Sequence, residues 1–240
     1  HDILCIIAKR IATFFEQNYK EDNIRKMEQK NISDEILSQV IVSRFEGRGH
    51  WGNRPIHNVL LSLTRKRPRD LIKLMYGAAR KAHDNNNEKI TSQDLEKSFE
   101  PYSHERLQDI INEFRSEVPK IENLLLEMRP TKRKRRTSES FLYTMDSLVT
   151  KMREIISHQS IYFTDNKAVT PKSLIQFLYK IDFITARMDK NGEIVRAYFD
   201  QSRFLANEIV DFGYMWEVHP AYRWALQPQD INDVFNSIEL

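Results

Sequence analysis

Four cations crowd the start of one helical pattern. Arg65, Lys66, Arg67 and Arg69 surround Pro68 in the stretch RKRPRDLI. Proline is best tolerated in the first turn of a helix, where its missing N–H costs nothing. That turn also presents free N–H groups and the positive end of the helix dipole. Cations there are unfavourable by a few tenths of a kcal/mol, roughly, unless an anion offsets them. Guanidinium forks beside free N–H groups are the chemistry of a phosphate site. Arg69 is the first candidate for that role and Arg67 the second. The alternative is a solvated basic turn in which Asp70 balances part of the charge.

Other constellations carry less. Gly47-Arg-Gly49-His-Trp-Gly52 fits G-x-G-x-x-G, but a helical pattern precedes it and Asn53-Arg54-Pro55 follows. A dinucleotide fingerprint needs a strand before and a helix after, so this stretch is expected to be a loop. The seven histidines do not pair at helical spacing with a carboxylate, and a single cysteine, Cys5, makes no zinc knuckle. There is no G-x-x-x-x-G-K-[ST] loop and no nucleophile motif. No metal ligand and no catalytic residue are therefore assigned.

A second candidate set lies further on. Thr170-Pro171 reads as an N-cap and first-turn proline. Leu174, Ile175, Phe177, Leu178 and Ile181 then share one side of a helix, and Lys172, Ser173, Gln176 and Lys180 lie on the other. Asp189-Lys190-Asn191-Gly192 is a strong hairpin signal between two runs of strand composition. Helix, helix and hairpin in that order are the plan of a winged helix. In one reading Lys172, Ser173, Gln176 and Lys180 face DNA, while Lys190, Asn191 and Arg196 on the wing touch its backbone. In the other, the module packs on a neighbouring domain or subunit and binds no DNA. The acidic balance of residues 141–240 favours the second. The run Lys132, Arg133, Lys134, Arg135 and Arg136 holds most of the chain's basic excess. As a tethered arm it could bind nucleic acid without sequence preference; as a solvated loop it binds nothing.

These residues need elements to hold them. The chain has 240 residues, enough for a core, with little glycine and few strand-like runs, so a mainly α fold is expected. Helical spacing is seen from Asp2 to Asn18, Ser33 to Phe45, His57 to Leu63, and from Pro68 to an end at DNNNE. Thr91 with Asp94 opens another helix in the manner of a capping box. Two more are expected near 104–117 and 119–128, and another from Phe141 to Ile156. Tyr214, Trp216, Tyr222 and Trp224 are expected in the core of the last domain. No apolar run reaches the ~18 residues of a membrane span. One cysteine suits a reducing cytosol. A first residue of His1 rather than methionine predicts a piece of a longer protein.

Arg67-Pro68-Arg69-Asp70-Leu71, followed by Ala78, Ala79 and Ala82 and then by Ile90-Thr91-Ser92-Gln93-Asp94-Leu95, resembles the helical lid of AAA+ and STAND-type P-loop ATPases. The likeness is to the lids of origin-recognition initiators and of bacterial defence-type ATPases, a group that often serves phage defence. It implies that Arg69, or Arg67, is a "sensor 2" arginine reaching the γ-phosphate held by an upstream core. It also implies a winged helix after the lid. The likeness spans residues 55–100 well and the rest loosely. The phosphate loop, Walker B acid and sensor 1 are missing, so the resemblance implies ATP and Mg only in an upstream part.

The resulting expectation is a mainly α chain. A helical lid-like domain covers 1–128, a basic flexible linker 129–140, and a winged-helix domain with a small β-hairpin 141–240. Its expected role is the regulatory or coupling region of a P-loop ATPase, not catalytic by itself. The expected partners are DNA and an upstream ATPase core or neighbouring subunit, with no membrane. The alternatives are a stand-alone winged-helix DNA-binding regulator and a structural module that binds neither nucleotide nor DNA.

Overall fold

The computed structural model describes residues 2–19, 36–47, 51–65, 67–130, 139–190, 193–203, 205, 213–227, 234–235 and 238. They form a mainly α protein with two small antiparallel sheets. The chain divides into two compact units, His1–Tyr102 and Ser103–Leu240. The linker expected at 129–140 does not mark the division: residues 107–128 share one apolar core with residues 141–226. Of that linker, 131–138 lie outside the described residues.

In the first unit, helix α1 (Asp2–Tyr19) matches the expected periodicity. The helix expected from Ser33 to Phe45 is shorter. Residues 36–40 are helical, Ile41 then bridges Ile90, and Arg44–Phe45 is strand β1. Strand β2 (Arg54–Pro55) pairs with it in register Arg44↔Pro55 and Phe45↔Arg54. The glycine-rich stretch thus joins two strands, and its Trp51 is buried edge-on against Phe45 and Phe99 at 5.8 and 5.6 Å. A Cβ on Gly47 would collide with the Phe45 ring, which explains that glycine by packing. Gly49 lies outside the described residues.

Helix α2 (Ile56–Leu63) buries Ile56, Val59, Leu60 and Leu63. Helix α3 (Pro68–Asp84) starts with Pro68 at N1 and buries Leu71, Leu74, Met75, Ala78 and Ala82 along one side. It ends as the asparagines suggest. Asn86 takes a left-handed φ of 55°, and the amides of Asn86 and Asn87 close back on His83 and Ala82. Helix α4 (Ser92–Phe114) opens with a reciprocal box. Asp94 Oδ2 accepts from the Thr91 amide at 3.0 Å, and Thr91 Oγ1 accepts from the Asp94 amide at 3.2 Å. It runs on through Pro101, so the break expected before residue 104 is not seen.

In the second unit, helix α5 (Ile121–Leu126), strand β3 (Leu142–Tyr143) and helix α6 (Met145–His158) precede helix α7 (Pro171–Lys180). Phe141 does not start α6: β3 intervenes, and Thr144 caps the helix by accepting from the Ser147 amide. Strands β4 (Ile184–Lys190) and β5 (Glu193–Ala197) form the expected hairpin. Its Asn191–Gly192 turn lies outside the described residues. The hairpin belongs to a larger sheet in the order β3-β6-β4-β5, with β6 at Met215–Val218. Helix α8 (Pro220–Leu226) follows β6. Trp216, Tyr222 and Trp224 are buried as expected, and Tyr214 is half-buried.

Candidate functional site

The candidate phosphate site is the N-terminus of α3. Leu63 ends α2, and Arg65 adopts a left-handed φ of 44°, a conformation that costs a non-glycine residue of order 1 kcal/mol. The turn carries the Arg65 side chain inward. Its Nε lies 2.9 Å from Asp70 Oδ2, and both side chains are buried, at 5% and 2% exposure. Asp70 occupies the third helical position, where a carboxylate also complements the dipole. The expected balancing by Asp70 is real, but its partner is Arg65.

Arg67 and Arg69 are left at the surface. Arg67 is the N-cap, with extended backbone and no side-chain capping bond. Its carbonyl accepts from the amides of Asp70 and Leu71 at 3.1 and 3.3 Å. Pro68 has no N–H to satisfy, and the Arg69 amide, in the first turn, finds no main-chain acceptor among the described residues. The Arg69 side chain is exposed and pairs with no described residue. The locked Arg65–Asp70 pair therefore holds a helix end whose outward groups are donors. Lys66 lies outside the described residues.

The residues nominated on the second unit scatter. Ser173 is buried and serves the capping box of α7: its Oγ accepts from the Thr170 amide at 2.9 Å, and Thr170 Oγ1 accepts from the Ser173 amide at 3.1 Å. Six of the ten α7 residues are buried, which leaves a narrow outer face. Lys180 pairs with Glu117 at 3.1 Å. Arg196 turns inward, with its Nε 2.5 Å from Glu217 Oε1. The expected nucleic-acid roles of Ser173 and Arg196 therefore meet a physical objection, because internal bonds use their polar atoms. Lys172 and Lys190 are exposed and Gln176 is half-buried. Asn191 and the run Lys132, Arg133, Lys134, Arg135 and Arg136 lie outside the described residues.

Sequence reasoning missed the cluster that claims Arg196. Glu217, wholly buried on β6, also meets Arg223 Nη2 at 2.6 Å and Arg187 Nη1 at 3.6 Å. Register explains part of it: Thr185 and Arg187 share one face of β4, with Glu217 opposite Thr185 and Arg196 opposite Arg187. Burial alone would push the Glu217 carboxyl up, but Arg196, Arg223 and Arg187 outweigh it and hold it below its ordinary value. Burial pulls Arg223 down to about 10, against the opposing pull of Glu217. Next to the cluster, His219 Nδ1 accepts from the Ala221 amide at 3.1 Å. The ring proton therefore sits on Nε2, 3.2 Å from Tyr198 Oη. This is a structural core of ion pairs; charged residues at inward strand positions were the available signal.

A cleft of about 570 Å³ beside α6 has a lining whose charges cancel: Arg129 and Lys151 against Asp146 and Glu154. Among the described residues no group of three or more His, Cys, Asp or Glu could hold a metal ion. No helix among them is long and apolar enough to cross a membrane.

The family described as the FunZ-associated C-terminal helical domain matches residues 1–111, which include α3 and its basic N-terminus. That match is consistent with a C-terminal part of a larger protein. No curated protein and no solved structure matches the chain.

Proposed function

We propose that the chain is the C-terminal coupling region of a larger P-loop ATPase, in which Arg69, seconded by Arg67, engages the terminal phosphate of a nucleotide bound upstream. One observation carries the reading: α3 begins with an exposed, uncapped pair of arginines on a turn made rigid by the buried Arg65–Asp70 pair. The fixed turn sets where the Arg69 side chain leaves the backbone, and a donor positioned where phosphate charge develops stabilises the transition state. The donors fit a phosphate group; the described residues offer no acidic cluster for Mg, which would be held by the upstream part. ATP would supply the phosphate whose charge changes on hydrolysis. Arg69 reads that change, and α3 passes it to the helices packed on its inner side.

The second unit is assigned to a protein partner rather than to DNA. The polar atoms of Ser173 and Arg196 are used internally, and Lys180 is offset by Glu117. Of the described wing and helix cations, Lys172 and Lys190 stay exposed for an outside partner.

The test is Arg69→Ala in the longer protein, with nucleotide hydrolysis as the readout. Loss of one donor to the developing charge predicts a fall in kcat of about 10²-fold, with unchanged thermal stability because the side chain is exposed. An unchanged rate overturns the proposal.

A further inference from the structure

Strand β3 leaves one edge of its sheet open. The sheet order is β3-β6-β4-β5, so among the described residues β3 is paired on one side only. Its register with β6 fixes which groups face out. Phe141 C=O accepts from the Val218 amide at 3.0 Å and Tyr143 pairs with Trp216, so residues 141 and 143 turn their main chain toward β6. Alternation then turns Leu142 and Thr144 away from it. The Leu142 amide donates to the Glu139 carbonyl at 3.1 Å. The Leu142 carbonyl and the Thr144 amide have no hydrogen-bond partner among the described residues. A carbonyl and an amide on either side of Tyr143 are the two groups that one residue of an added parallel strand takes. Tyr143 and Thr144 also line the cleft of about 570 Å³ beside α6, a size usual for a ligand site. Ser140 lines it too, 2% exposed and with its Oγ unpartnered.

We propose that an extended peptide segment of a partner protein binds in this cleft as a parallel strand on the free edge of β3, its main chain held by the Leu142 carbonyl and the Thr144 amide. Charge selects a peptide. The two cations and two carboxylates of the lining cancel, so the cleft offers no net field to a polyanion. A peptide main chain instead brings one neutral donor and one acceptor per residue. The hydroxyls of Ser140 and Thr150 on the lining can each donate or accept, which suits such groups. Burial pushes the Tyr143 phenol up to about 12, with Arg223 opposing and Glu154 adding, so it too stays a donor at neutral pH. The edge lies wholly in the second unit and uses none of the arginines assigned to nucleotide sensing. It rests on the assignment of that unit to a protein partner, and its failure leaves Lys172 and Lys190 open to that partner.

The test uses peptides selected on the intact chain from a displayed random heptapeptide library, then synthesised with a fluorophore and measured by anisotropy. Thr144→Ala and Thr144→Pro both remove the hydroxyl that caps α6, but only proline also removes the edge N–H. The Thr144 φ of −71° suits proline, and so does the strand conformation of Tyr143 before it. The two variants should therefore unfold at similar temperatures. Thr144→Pro is expected to bind about tenfold more weakly than Thr144→Ala, the loss of one main-chain hydrogen bond. Single N-methylations along the peptide, read on the wild-type chain, should find one position with about the same loss, the residue opposite Tyr143. The proposal is overturned if no peptide is enriched, if the two variants bind alike, or if no N-methylation weakens binding. It is also overturned if the chain sediments as a dimer that Thr144→Pro makes monomeric, because the occupant of the edge is then a second copy.

Discussion

Helices α3 and α7 begin alike and end up with opposite chemistry. Each has an extended N-cap residue followed by proline and a cation: Arg67-Pro68-Arg69 in one, Thr170-Pro171-Lys172 in the other. In α7 the Thr170 and Ser173 hydroxyls satisfy each other's amides, so the helix end is chemically finished. In α3 the cap has no side-chain acceptor, and its guanidinium and that of Arg69 face outward. The same contrast runs through the arginines of the two units. Arg187, Arg196 and Arg223 turn inward onto Glu217, whereas at the start of α3 Arg65 is taken inside and Arg69 stays at the surface. A basic first turn is thus no signal by itself; what decides its role is whether the fold uses up the donors.

The inward half of the contrast breaks most expensively. Glu217→Gln leaves three buried guanidiniums without their carboxylate, and urea unfolding should show a loss of about 3–5 kcal/mol. The same group predicts the acid response. Its folded pKa is depressed, so its contribution is fully present above the ordinary value of 4.5 and is lost as pH falls through the lower folded value. Stability measured against pH should therefore drop in that acid range, and Glu217→Gln should flatten the drop. Asp70→Ala comes next: it strands Arg65 in the core and should destabilise by about 3 kcal/mol, with hydrolysis in the longer protein falling because the turn under Arg69 is released. Thr170→Ala removes a complete cap and should cost about 1 kcal/mol without touching hydrolysis. The smallest effect has the opposite sign. Arg67→Ser supplies α3 with the cap it lacks, so thermal melts should show a gain of about 0.5–1 kcal/mol, accompanied by weaker nucleotide response. A cap that stabilises while impairing activity would mark the missing one as a functional cost.

Local signals are readable in the sequence and long-range ones are not. Pro68 at N1, the asparagine stop of α3, the Thr91–Asp94 cap, the Thr170-Pro171 helix start and the Asp189–Gly192 hairpin signal all act within a few residues, and the elements stand where these signals put them, although the Ser173 half of the α7 cap is not foreseen. Strands β3 and β6 exist because Tyr143 pairs with Trp216, a partner far along the chain, and two residues of β3 carry no period to read. A separate helix is expected near residues 104–117, but α4 runs into that stretch without a break. Within the candidate site, Arg67 and Arg69 are evident from type and position. The inward turn of Arg65 is not, because it depends on a left-handed backbone at a residue with no glycine-like signature. The withdrawal of Arg196 onto Glu217 depends on sheet register across 21 residues.

The most direct test compares the two helix starts in the longer protein, measuring nucleotide hydrolysis and thermal stability on the same preparations of Arg69→Ala and Thr170→Ala. The account predicts that Arg69→Ala loses hydrolysis at wild-type stability, while Thr170→Ala loses stability at the wild-type rate. It is contradicted if Arg69→Ala hydrolyses nucleotide at the wild-type rate, or loses rate only in step with unfolding.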